Sequence, residues 1–106
     1  MYTIKDENTG RKLALASTDF PEPLCWRDAN IACQKLGQGW RLPTVRDFQF
    51  IWENIDNFCS YGFKESNYWT ANKGSYDAYY TYTISIRQAG ECNGSFPEWV
   101  RAVRDL

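Results

Sequence analysis

Gly37-Gln38-Gly39-Trp40-Arg41-Leu42-Pro43-Thr44 is the stretch whose reading decides the fold. It joins two segments of helical period. A plain connection needs only its turn residues, Gly37, Gly39 and Pro43, yet a tryptophan, an arginine and a leucine are placed there too. The two glycines let the backbone leave the first helix. Trp40 and Leu42 are expected to enter the core and fix the crossing of the helices, and Pro43 restricts the chain ahead of Thr44. The Arg41 fork suits a carboxylate or backbone carbonyls and would stiffen the corner. The stretch therefore reads as architecture, not as a reactive loop.

Upstream, Ala29, Ala32, Cys33 and Leu36 follow i, i+3, i+4, i+7 spacing, with Arg27, Asp28, Gln34 and Lys35 off that stripe; Gly37 then ends the helix. Downstream, Thr44 is a good N-cap with Asp47 at N3, close to a capping box. Val45, Phe48, Ile51, Trp52 and Ile55 form the apolar face of the second helix, and Phe50 falls off it, so this helix is expected to be covered on more than one side. Ahead of the helices, residues 2–5 and 13–16 read as short strands around a turn at Gly10. Behind them, residues 67–71, 78–86 and 98–106 read as strands, and residues 87–97 as a long loop joining the last two. The order β, α, α, then β-rich predicts an α+β fold, two helices packed on a twisted antiparallel sheet.

The bulk numbers restrict function. A chain of 106 residues is expected to form one domain, residues 1–106. With a net charge of −1 and no basic tract, it offers no electrostatic footprint for a phosphate backbone, so nucleic acid is not an expected partner. No apolar run approaches the ~18 residues of a membrane span, and no hydrophobic region of a signal peptide follows Met1. The sequence reads equally as a whole protein or as a domain of a longer polypeptide. Five Trp, seven Tyr and six Phe are many for this length, and surface Tyr and Trp favour recognition.

Cys25, Cys33, Cys59 and Cys92 have no short knuckle spacing, and histidine is absent, so no metal site or cofactor is expected. Two disulfides in an oxidising compartment are expected instead. Helical rise separates Cys25 and Cys33 by ~12 Å, which disfavours that pair and leaves 25–59 with 33–92, or 25–92 with 33–59. Without an imidazole, no Ser or Cys nucleophile has its usual base. Glu53 and Asp56 share a helix face but read as solvated, and no phosphate loop or dinucleotide fingerprint occurs. Catalysis is not expected.

One series of motifs carries a resemblance. Trp26, Ala29, Cys33 and Leu36 lead into Gly39-Trp40-Arg41-Leu42-Pro43-Thr44; Tyr68-Trp69-Thr70-Ala71, the aromatic strand 79–86 and Val100-Arg101-Ala102-Val103-Arg104-Asp105 follow in order. This resembles the bacterial domain family typified by the C-terminal domain of the Legionella collagen-like adhesin, and the related "major paralogous" surface domains. Both are C-type-lectin-like folds, with long loops before the last strand. The resemblance implies a compact bacterial module, secreted or on the cell surface, for adhesion or ligand binding. Related sequences often place a cysteine at the position of Ala102, facing the cysteine of the first helix; here Cys33 must pair elsewhere or stay free. The calcium motifs of true C-type lectins are missing: Glu22-Pro23 is followed by Leu24 and precedes the first helix, and Glu98-Trp99-Val100 lacks the oxygen donors after Trp. Binding is therefore expected to be calcium-independent.

In such folds the ligand meets the late loops, here 72–80 and 87–99. The resulting candidate ligand-binding residues are Tyr76, Asp77, Tyr79, Arg87, Glu91, Asn93, Phe96 and Trp99, a mixture that suits a protein or surface-glycan partner. Two rival readings use the same residues: a structural tip or stalk module of a larger or oligomeric surface assembly, and a variable receptor-binding protein of phage or retroelement type.

Overall fold

Thr44 caps the second helix as its position predicts. Its hydroxyl accepts the Asp47 N–H at 3.0 Å, and the Asp47 carboxylate accepts the Thr44 N–H at 2.8 Å, a complete capping box. The computed structural model describes residues 1–106. The elements in chain order are β1 (Tyr2–Lys5), β2 (Lys12–Leu15), α1 (Trp26–Lys35), α2 (Val45–Glu53), a 3-10 turn (Phe58–Tyr61), β3 (Asn67–Lys73), β4 (Ala78–Thr83), β5 (Gln88–Asn93) and β6 (Val103–Asp105).

The corner before α2 is strapped on both sides. Arg41 exchanges two main-chain hydrogen bonds with Val103 at 2.9 Å each, and the Ala71 N–H reaches the Pro43 carbonyl at 2.8 Å. The Arg41 guanidinium grips Asp105 with two nitrogens (3.2 and 2.9 Å) and Asp47 with the third (2.7 Å), while Arg11 takes the other Asp47 oxygen at 2.6 Å. Burial works against the Asp47 charge, but the bonds from Arg41, the Thr44 N–H and Arg11 outweigh it and lower its pKa. Leu42 is fully buried. Trp40 is half-buried, packed on the α1 side of the core with the Arg104 guanidinium over its ring.

Two three-stranded antiparallel sheets form, β1-β2-β6 and β3-β4-β5, where one sheet was expected. The second sheet is covered on both faces because its strands alternate. Tyr68 and Tyr82 turn to one side, where Tyr82 stacks on Phe48 of α2 at 4.7 Å; Ile4, Leu13, Leu15, Phe58, Phe63 and Val103 are among the residues that share that core. Trp69 turns to the other, packing with Ala29 and Cys33 of α1, Leu42, Val100 and Ala102. Phe50 is buried, with Arg11 over its ring at 4.3 Å, which is the second covered side of α2.

Three expectations need correction. Residues 78–86 do not form one strand: Ile84–Arg87 make a tight turn, closed by Arg87 in the left-handed region (φ 54°). The expected loop 87–97 then contains β5, a strand exposed along most of its length and so without an apolar alternation to betray it. The expected final strand 98–106 shortens to Val103–Asp105, because Glu98 and Trp99 bridge instead to Leu24 and Tyr68. The cysteines also depart from expectation, since all four are free. Cys33 is sealed in the core beside Ala102, and burial pushes its thiol up to about 12, whereas Cys59 lies exposed on the 3-10 turn.

Of the two arginines in the expected last strand, Arg101 lies ahead of β6 and is almost wholly buried. Its Nε meets the equally buried Asp19 carboxylate at 2.7 Å, and its Nη1 donates to the carbonyls of Ala16 (3.0 Å) and Tyr61 (2.8 Å). Tyr68 and Lys64 complete the shell around Asp19.

Candidate functional site

Trp26 opens α1 and is fixed at both ends. Its main-chain N–H donates to the Gly94 carbonyl at 2.9 Å, and its indole N–H to the Thr70 carbonyl at 2.8 Å. Its ring lies flat on Tyr79, centroids 3.7 Å apart and planes within 5°. Tyr79 is placed there by strand pairing, flanked by Lys73 of β3 and Cys92 of β5. Helix and sheet together thus build a rigid aromatic platform.

The turn between β3 and β4 rises beside it. The Gly74 N–H bonds the Ala78 carbonyl at 2.9 Å, the Lys73 ammonium bonds the carbonyls of Tyr76 and Ala78, and the Glu91 carboxylate accepts the Ser75 N–H. A side chain on Gly74 would collide with Glu91. So braced, the turn holds Tyr76 at φ 48° with 96% of its surface exposed. On the opposite rim, the Asn93 side-chain carbonyl accepts the Ser95 N–H (2.9 Å) and hydroxyl (2.7 Å), and the Gly94 N–H reaches the Asp77 carbonyl at 2.8 Å. Asn93-Gly94-Ser95 is a turn in the fold.

Between these rims lies an open pocket of about 550 Å³, lined by Trp26, Arg27, Lys73, Tyr76, Asp77, Tyr79 and Asn93–Ser95. Its volume is in the usual range for a small-ligand or side-chain site. Arg27 and Asp77 take part in none of the ion pairs of the fold, so charges of both signs face the opening uncommitted. The Cys92 thiol behind the platform is pushed up to about 11 by burial and by its hydrogen bond to Glu98, which keeps it protonated at neutral pH. The pocket offers stacking, hydrogen bonding and charge, the means of non-covalent recognition.

Four of the eight candidate residues meet here: Tyr76, Asp77, Tyr79 and Asn93. Glu91 lies next to them but braces the turn. The other three stand elsewhere. Arg87 lies over the Trp52 ring at 4.2 Å, Phe96 is exposed outside the pocket, and Trp99 is half-buried under the Lys64 ammonium at 4.0 Å. Trp99 borders a second hollow of about 350 Å³ with Asp19, Lys64 and Arg101, whose charges already pair with one another. Trp26, Arg27 and Lys73 were missed. Trp26 was legible only as the head of a helix, and nothing in the sequence distinguishes Arg27 from any exposed helical arginine. No family model matches this chain, and no curated protein matches it.

Proposed function

We propose that this chain is a non-catalytic extracellular or cell-surface binding module, and that its ligand, a protein or a surface glycan, is taken without calcium by the pocket between α1 and the β3–β4 turn. The observation that carries this reading is the stacked Trp26–Tyr79 platform lining one pocket with the fully presented Tyr76, with Arg27 and Asp77 uncommitted beside it. Left-handed backbone at a tyrosine is costly, roughly 1–2 kcal/mol, and is held here by the bonds of Lys73 and Glu91 to the turn. With its backbone held in that way and only two side-chain torsions left to order, Tyr76 is an anchor that loses little entropy on binding. The C-type-lectin-like reading of the α+β fold belongs to the same proposal. Its support is the order of the elements and the strapped corner from Gly37 to Thr44.

The test is a screen of the immobilised chain over glycans and extracellular-matrix and cell-surface proteins, with and without a calcium chelator. A chelator-insensitive ligand is expected, with affinity reduced at least tenfold in Tyr76→Ala and in Arg27→Ala, in line with the cost of truncating an interface anchor. Chelator-sensitive binding, or binding that both variants retain, would overturn the assignment.

A further inference from the structure

In the sheet β3-β4-β5, β5 is an edge, and nothing in the fold covers it. The phase of its ladder follows from the bond of the Gly94 N–H to the Asp77 carbonyl. Counting back along the unbroken register, Cys92, Gly90 and Gln88 bond to β4. Ala89 and Glu91 therefore aim their main-chain N–H and C=O groups outward, and neither finds a main-chain partner there. The strand has no proline, no lysine and no bulge, devices that usually blunt such an edge, and its one charged side chain, Glu91, is held by the Ser75 N–H. Unlike an apolar face, a free edge specifies its occupant chemically, as an extended polypeptide backbone.

We infer that β5 is a docking edge for a second copy of this chain, paired antiparallel about a twofold axis at Gly90. Edge pairing of this kind is isologous, so the strand must complement itself. About Gly90 it does. Ala89 falls opposite Glu91 of the second copy and Glu91 opposite Ala89, so outward-facing groups meet in two doubly bonded pairs. No like charges are directly opposed, the two Glu91 being diagonal neighbours each bonded to its own Ser75, and the axis passes where neither chain has a side chain. Two exposed apolar residues, Ile86 and Phe96, lie beyond the two ends of β5, and the axis brings Ile86 of each copy to the end that holds Phe96 of the other. A net charge of −1 opposes association little. A six-residue strand pair is smaller than the roughly 1,000 Å² of a stable interface, so the dimer is weak, formed at sub-millimolar concentration. It would join two sheets into one of six strands carrying two ligand pockets, and so would strengthen binding to a multivalent surface. The pairing itself does not depend on the pocket's function.

Gly90 also provides the test, since a side chain added there meets nothing within 4 Å and the fold tolerates it. Sedimentation equilibrium of the chain from about 10 μM to about 1 mM is expected to reveal a monomer–dimer equilibrium. Gly90→Cys in a glutathione buffer is expected to give a covalent dimer, linked through the introduced thiols on peptide mapping, because opposed residues that do not bond each other stand closest. Gly90→Lys, which opposes two ammonium groups on the axis, is expected to weaken the dimer at least tenfold, with near-UV circular dichroism unchanged. Tyr76→Ala is expected to leave it intact, which separates this inference from the pocket assignment. A chain monomeric throughout the range overturns the proposal. So does a dimer that Gly90→Lys leaves intact and Gly90→Cys does not link, since that dimer uses another surface.

Discussion

Asp47 concentrates the logic of the corner in one side chain. It caps its own helix, bonds Arg41 and Arg11, and is buried while doing so. Removing its charge leaves two arginines without their carboxylate, so Asp47→Asn is expected to cost about 2–4 kcal/mol at pH 7 in urea denaturation. The pH dependence has a definite sign. The folded pKa is lowered, so the unfolded chain takes up the proton first. The contribution is fully present above the unfolded value of about 3.9, and is lost as pH falls through that value and then the folded one. The gap between wild type and Asp47→Asn should therefore narrow between pH 7 and pH 3. A gap of constant size would mean that the charge of Asp47 is not what stabilises the corner. This residue's role was half legible: Thr44 and Asp47 announce the capping box by spacing, but the approach of Arg11, 36 positions away, is a product of the fold.

Among the elements, those with a buried face were legible and those without one were not. α1 and α2 display a helical stripe because one side of each is in the core, and β4 alternates because Tyr82 meets Phe48 while Tyr79 meets Trp26. β5 touches the core only through Cys92, so nothing obliges its sequence to alternate. The turn before it hides for a related reason: Ile84 is buried and reads as strand, and the left-handed residue is Arg87, not glycine. The segment before β6 reads as strand because Val100 and Ala102 are apolar and lead into Val103, yet its residues bridge to several different elements in turn. Arg101 fastens that segment to the loop holding Asp19 and to the 3-10 turn. Arg101→Met is expected to cost about 3–5 kcal/mol, because Asp19 remains buried with its main partner gone. Adding Asp19→Leu should recover part of that loss. Thermal or urea denaturation of the single and double variants checks this, and strictly additive losses would show that the two groups do not act as a pair.

Across the whole molecule, the radius of gyration of 12.9 Å equals the roughly 13 Å of a single packed body of this length. The two helices, two sheets and one strapped corner form a frame in which residues 73–79 and 93–95 are the parts left to face outward around Trp26. Half of the candidate site was legible because Tyr, Asp and Asn in late turns announce themselves by composition. The helix side of the pocket was not, because it joins those turns only through the Trp26–Tyr79 stack and the bond to Gly94. The two hollows share no lining residue, and neither includes the Arg87–Trp52 contact, which allows a direct discrimination. Amide and indole chemical shifts of the isotope-labelled chain, recorded while the ligand found in the screen is titrated in, would locate its footprint. The account predicts that the shifts concentrate at Lys73–Tyr79, Asn93–Ser95 and the indole of Trp26; shifts concentrated instead around Lys64 and Trp99, or around Trp52 and Arg87, would contradict it.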